Sequence, residues 1–228
     1  MQTSPLRREA PGTHPELLSP DYRSTPARSP RRAPVRLEQG AAELSVLEPP
    51  AELIAPTDAD LTRQSTGSPL GERIVVTGRV LDEDGRPVRN SLVEIWQCNA
   101  AGRYSHRNDQ HDAPLDPHFV GTGAVVTDAD GCYSFLTIEP GAYPWANHYN
   151  AWRPKHIHFS LFGQAWASRL VTQMYFPGDP LLALDPIFMG IPDAAARAQL
   201  VSAFDVERSQ PDHAIAYRFD IVLRGARG

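Results

Sequence analysis

Lysine is almost missing from this chain of 228 residues: 21 of its 22 basic residues are arginine, and Lys155 is the exception. A GC-rich coding bias explains that skew without any functional demand. Cysteine is scarce as well. Cys98 and Cys132 are the whole supply, which excludes a multi-disulfide scaffold and makes a reduced, cytoplasmic setting the expectation. No stretch has 18 uninterrupted apolar residues, so no membrane span is expected. Charges and prolines break up Met1–Pro20, where a signal peptide would need an apolar run. Positive charge is not in excess either: the formal net charge of −5 argues against a nucleic-acid or membrane-surface partner.

Proline, by contrast, is abundant. The 22 prolines and 16 glycines leave little room for long helices. Of the prolines, 11 fall within residues 1–70. In residues 1–36, seven arginines oppose Glu9, Glu16 and Asp21, a local charge of +4. Composition alone fits a disordered tail there. The motif Ser19-Pro20-Asp21-Tyr22-Arg23, an aromatic among turn formers, fits an extended arm laid on another surface.

After Gly71 the texture becomes that of β-structure. Ile74–Leu81 is β-branched, stops at Asp82-Glu83-Asp84-Gly85, and resumes at Leu92–Trp96. Val125–Thr127 turns at Asp128-Ala129-Asp130-Gly131 and returns through Tyr133–Phe135, so both turns read as hairpins. His156–Phe162, Arg169–Phe176 and Tyr217–Leu223 are further strands, and Asp193–Phe204 is the one convincing helix. The expected fold is all-β: an antiparallel sandwich over 71–228, an N-terminal arm over 1–70, and one or two short helices. The Asp-x-Asp-Gly turns lack the later ligands of a calcium loop and read as turn chemistry.

Six of the eight histidines and four of the seven tyrosines lie between Tyr104 and His158. In His156-Ile157-His158, strand alternation puts both imidazoles on one face and Ile157 on the other. Such a pair suits a shared metal, but surface or core histidines show the same spacing. No cysteine cluster or nearby carboxylate completes a zinc or facial-triad site. Tyrosines are the conspicuous neighbours. A phenol of pKa about 10 becomes a ligand only for a cation charged enough to expel its proton, and Fe(III) is such a cation. Two phenolates and a hydroxide would balance its charge in a low-dielectric pocket.

Several motifs together carry a family resemblance: Gly102-Arg103-Tyr104, Ala113–Pro117, Tyr143-Pro144-Trp145, Trp152–Phe159, Gln173–Pro180 and Tyr217–Gly225. Pro20-Asp21-Tyr22 and Ala27-Arg28-Ser29-Pro30 extend it into the arm. With these the chain resembles the intradiol ring-cleavage dioxygenases over nearly its whole length, least between about 37 and 60. The resemblance implies a non-haem Fe(III) held by Tyr104, Tyr143, His156 and His158, with Tyr143 leaving the metal when substrate binds. It implies that Arg153 stabilises negative charge on the ring and that Gln173 supports it close to the iron. Tyr22, Trp145 and Ile187 would line the substrate pocket, though Trp145 and Ile187 would equally suit a core.

The implied reaction is O2-dependent cleavage between two hydroxylated ring carbons in aromatic catabolism. Protocatechuate would give 3-carboxy-cis,cis-muconate, feeding the β-ketoadipate pathway. Relatives acting on catechol or hydroxyquinol, the alternative, carry a helical N-terminal segment that residues 1–70 are too proline-rich to supply. The resemblance also implies an α/β hetero-oligomer with an α subunit as partner, and this chain, having all four ligands, is not expected to be a non-catalytic α-type subunit. Two readings from other classes remain. A transthyretin-like binding module explains the turns but not the Tyr-Tyr-His-His set, and a zinc hydrolase gives the tyrosines no role. His106, His111, His118 and His148 lie in polar loops and are expected to be exposed rather than ligating.

Overall fold

The computed structural model describes residues 12–35, 54–149, 151–162 and 169–223. Residues 1–11 and 36–53 of the expected arm, and Arg224-Gly225 of the last motif, lie outside the described residues. The elements run α1 (Thr25–Arg28), β1 (Arg73–Asp82), β2 (Leu92–Trp96), β3 (Thr122–Val126), β4 (Cys132–Ile138), β5 (Tyr143–Trp145) and β6 (Ala151–Arg153). They continue with β7 (His156–Phe162), β8 (Arg169–Tyr175), α2 (Pro186–Met189), α3 (Ala194–Ala198), β9 (Ala203–Phe204), β10 (Ile215–Arg218) and β11 (Ile221–Leu223). No helix among the described residues is long and apolar enough to cross a membrane.

Two sheets face each other. In one, β1 pairs antiparallel with β4 on one side and parallel with β10 and then β11 on the other. The second has the order β3-β2-β7-β8, antiparallel throughout. The sandwich is therefore mixed rather than purely antiparallel. Alternation explains its core: Ile74, Val76 and Val80 of β1 meet Val93, Ile95, Ile157, Phe159 and Leu161 of the second sheet, all essentially inaccessible to water. Phe159 is the hub, with ring centroids 6.1 Å from Tyr133, 6.0 Å from Phe135 and 5.2 Å from Phe219. Burying a side chain of that size contributes about 2–3 kcal/mol. Residues 54–70, grouped with the arm by composition, add Leu61 to the same core.

Three expectations need correction. The Asp-x-Asp-Gly turns do not pair the strands that flank them, because β1 and β2, like β3 and β4, belong to different sheets; the first closes only a local Leu81–Pro87 bridge. Each turn carries the chain across the sandwich. Asp82 Oδ1 accepts the amides of Asp84 and Arg86, and Asp128 Oδ1 those of Asp130 and Cys132, so one oxygen of each carboxylate is spent on turn backbone. The helix from Asp193 stops at Ala198, and Ala203–Phe204 forms β9 instead. Tertiary pairing overrides propensity there: Tyr175 donates its amide to Leu200 O and accepts from the Ser202 amide, pulling the chain extended. Finally, Tyr217–Leu223 is two strands. Their ladder with β1 breaks at Phe219-Asp220, where the Phe219 amide turns to Thr77 O and the Tyr133 hydroxyl donates to Phe219 O.

The break depends on Gly78, whose Cβ, were there one, would lie 1.9 Å from Phe219 O. Because the obstacle is backbone, Gly78→Ala should lower stability by about 1–3 kcal/mol in urea unfolding; an unchanged midpoint would contradict the close approach. The thiols should differ as well. Burial pushes the Cys98 pKa up to about 12, so at pH 8 it stays a protonated, enclosed thiol. A thiol reagent should titrate the partly exposed Cys132 in folded protein and reach Cys98 only after denaturation. Rapid labelling of both would refute this.

Candidate metal centre

β7 has one face in the core and one in the site. Ile157 and Phe159 fill the core, and the same alternation presents His156 and His158 on the opposite face. β2 supplies a platform: Trp96 is in register with His158 and stacks on it, centroids 4.8 Å apart and planes 3° from parallel. His156 Nδ1 lies 2.6 Å from Pro154 O. A carbonyl only accepts, so that ring nitrogen carries the proton, and Nε2 keeps its lone pair for an electrophile.

The tyrosines arrive from two loops that touch each other. Asn99, buried just after β2, accepts the Ala101 and Arg103 amides through its side chain and holds Pro114 O through Nδ2. Its backbone carbonyl accepts from both Gly102 and Gly141. Gly102 has φ +80°, and a Cβ there would meet Ala142 O at 2.3 Å. These contacts press the Tyr104 loop against the start of β5, where Tyr143 stands. Asp109 fixes Tyr104 further by accepting its amide at 2.8 Å.

The four side chains converge in two phenol–imidazole pairs. The Tyr143 hydroxyl lies 3.1 Å from His156 Nε2, and the Tyr104 hydroxyl 3.1 Å from His158 Nε2. The two phenol rings meet edge-on with centroids 5.5 Å apart, and the two imidazoles at 4.8 Å. Burial and the nearby Arg153 charge hold His156 well below the usual histidine range and His158 at about 3, so both rings are neutral. Burial also raises both tyrosines, and Arg153 opposes that rise. With no cation the phenols keep their protons. Among the described residues no group of three or more His, Cys, Asp or Glu is placed to hold a metal ion. A cation here must therefore draw on the phenols, and two neutral imidazoles plus two ionisable phenols suit a hard, highly charged one.

Beside this cluster sits a buried polar clamp. β5 and β6 form a ribbon in which Tyr143 is directly opposite Arg153. Arg153 is 2% exposed and Asp185 0%. Arg153 Nε donates to Asp185 Oδ1 at 3.0 Å, and Nη2 donates to Asp185 Oδ2 at 3.3 Å, to the Tyr175 hydroxyl at 3.2 Å and to Gln173 Oε1. Burial works against the Arg153 charge, but Asp185 with Tyr175 and Tyr143 together more than offset it, and the guanidinium stays protonated. Trp145 covers the guanidinium, with the ring centroid 5.6 Å from Cζ.

Tyr22 meets Trp145 edge-on at 4.4 Å, Arg28 lies over the Tyr22 ring, and the Arg23 amide donates to Asn147 O. Tyr22 thus docks residues 22–28 against Trp145. Ile187 stands on α2, bordering a cavity of about 430 Å³ that also touches Gln173 and Tyr175 but none of the four phenol and imidazole rings. The loop histidines join neither group. His106 is exposed as expected, but His111, His118 and His148 are half-buried, His111 against Trp152, His118 against Ser65 and His148 between Trp145 and Tyr149.

Sequence reading missed Trp96, Asn99, Tyr175 and Asp185. Asp185-Pro186 carries a local signal, that of a helix N-cap followed by proline. Tyr175 follows Gln173 by two on a strand, hence on the same face. Trp96 and Asn99 gain meaning only from strand pairing that no local pattern reveals.

Residues 48–225 match the family model described as Dioxygenase, and residues 6–40 match that of the protocatechuate 3,4-dioxygenase beta subunit N terminal. The chain is 61% identical over 215 residues to the protocatechuate 3,4-dioxygenase beta chain of Burkholderia cepacia, spanning 93% of this chain and 91% of that one. The hydroxyquinol 1,2-dioxygenase of a Rhizobium species is 31% identical over 77% of this chain and 60% of its own length. Among solved structures, a dioxygenase domain from Streptomyces sp. SirexAA-E superposes with TM-score 0.53 at 26% identity, covering 80% of this chain and 99% of that domain. The 3-chlorocatechol 1,2-dioxygenase of Rhodococcus opacus 1CP shares the fold, with TM-score 0.56 at 24% identity over 78% of this chain and 71% of its own. With its sandwich, its phenol–imidazole cluster and these matches, the chain belongs to the intradiol ring-cleavage dioxygenases.

Proposed function

We propose that this enzyme cleaves protocatechuate between its hydroxylated carbons with O2, giving 3-carboxy-cis,cis-muconate, and works with an α-type subunit. One observation carries the site assignment: the two phenol–imidazole pairs at 3.1 Å converge beside the buried His156 and Arg153 side chains. The close likeness to a protocatechuate 3,4-dioxygenase beta chain supports the substrate and the partner. Intradiol dioxygenases generally use non-haem iron, and the donor set fits it in the ferric state. Tyr104, Tyr143, His156 and His158 would hold the ion, which when bound supplies Lewis acidity and an electron path between catecholate and O2.

The chain's own residues account for the remaining needs. His156, its Nδ1 proton held by Pro154 O, offers Nε2 in a fixed orientation. A catechol would have to give up two protons to bind as a dianion. Tyr143 Oη could accept one and become the neutral phenol that burial favours. A hydroxide lost from the site as water would take the other, so that one phenolate and one hydroxide give way to one dianion and net charge is kept, which suits a low-dielectric pocket. Arg153 places a permanent positive charge beside the ring, where negative charge develops, and Gln173 holds one edge of it. Trp145 and Tyr22 form an aromatic wall at the mouth, with Tyr22 on the substrate-carboxylate side, and Ile187 adds an apolar flank. Residues 1–70 serve as the arm and 71–228 as the catalytic sandwich. The free thiols support a cytoplasmic location.

Protein purified with its α-type partner and loaded with iron should be red-brown from phenolate-to-metal charge transfer. It should consume O2 faster with protocatechuate than with catechol. Tyr143→Phe should shift the visible band and lower kcat by about 100-fold or more. Colourless iron-replete protein, or a band unmoved in Tyr143→Phe, would overturn the ligand assignment. Preference for catechol would overturn the substrate.

A further inference from the structure

We infer that Asp185, with Tyr175, is the positioning element for Arg153, so that the pocket's positive charge is aimed by a residue outside the phenol–imidazole cluster. This rests on the proposed ring-cleavage reading and adds a component to it. The Asp185 carboxylate has five donors within reach. Nε and Nη2 of Arg153 and the amides of Ile187 and Phe188 at the start of α2 donate to it, and the Tyr175 hydroxyl, with one proton to give, lies 3.2 Å from its Oδ2 as the alternative to Gln173. A carboxylate offers about four lone-pair sites, so this one is saturated. Tyr175 also reaches Gln173 Oε1 at 2.8 Å, closing a ring of Arg153, Gln173, Tyr175 and Asp185.

The way the guanidinium is gripped decides its use. Asp185 engages the Nε–Nη2 edge, and Gln173 and Tyr175 share Nη2. Nη1 has no hydrogen-bond partner among the described residues, although Arg153 as a whole is 2% exposed. An arginine has five N–H donors in a rigid plane, so fixing one edge fixes where the remaining donors point. Arg153 also faces Tyr143 across the β5–β6 ribbon. The unspent edge is thus the part of the cation left for the pocket. One carboxylate also caps the helix that carries Ile187, so charge placement and the apolar flank share an anchor.

Asp185→Asn separates the two duties, since asparagine still caps a helix but cannot neutralise a guanidinium. In the iron-loaded enzyme with its α-type partner, kcat for protocatechuate should fall about 10–100-fold, with KM within about threefold. Iron content and the visible band should match wild type. Arg153→Gln/Asp185→Asn should be no slower than Arg153→Gln alone. Stability of the metal-free protein provides an independent reading. Asp185→Asn strands a buried cation and should lower the unfolding midpoint by roughly 5–15 °C, and adding Arg153→Gln should recover at least half of that.

A kcat within twofold of wild type in Asp185→Asn, or slowing that multiplies in the double variant, overturns the inference. If Asp185→Asn does not fold, Tyr175→Phe decides: kcat should drop about 3–10-fold, with no added loss in the Arg153→Gln background, and an unchanged kcat counts against it. Wild type that is colourless and inactive defeats the ring-cleavage reading instead, while the metal-free stability cycle still reports whether Asp185 and Arg153 are coupled.

Discussion

The two-residue period of β7 is the constraint on which the rest of the structure depends. Ile157, Phe159 and Leu161 lie in a core where a one-residue slip would drive His156 and His158 into hydrocarbon and Phe159 into the site. The stability of the sandwich and the placement of the imidazoles are therefore one fact. Phe159 touches aromatics from β4 and from the β10–β11 break, so the packing that orders both sheets also fixes the register of the site strand.

Burial then sets the protonation of everything on the other face. It keeps the histidines neutral and the tyrosines protonated, a state suited to accept a cation and release protons in return. The buried cation beside the cluster, Arg153, is tolerated because Asp185 neutralises it at hydrogen-bond distance. Low dielectric and a fixed pair of charges are what distinguish this pocket from a patch of aromatic side chains in a β-sandwich.

Local pattern revealed most of the strands and the two-faced character of His156-Ile157-His158, since both follow from alternation. It misassigned the Asp-x-Asp-Gly turns, because a turn specifies a reversal and not which sheet receives the next strand. Asp193–Phe204 has helical propensity throughout, yet its last part is recruited by Tyr175 and β10, contacts remote in sequence. The cluster around Tyr104, Tyr143, His156 and His158 came from motifs taken together, not from any single spacing. Asp185 escaped notice because its partner lies 32 residues away, and Asn99 because its role is to join two loops through backbone amides. What was hidden depends on pairing across the chain; what was visible depends on neighbours within a few residues.

The β5–β6 ribbon belongs to neither sheet. Tyr104 is set in a loop cross-braced by Asn99 and Asp109, whereas Tyr143 rides on three residues of strand with one paired neighbour strand. The two phenols consequently differ in mechanical compliance. Tyr143 is held through its ribbon and its contact with His156, whereas the backbone of the Tyr104 loop is also tied by the Asn99 and Asp109 side chains. In an engineered descendant, the ribbon is the place where new side-chain chemistry can be introduced beside the imidazoles without rebuilding the sandwich that holds them.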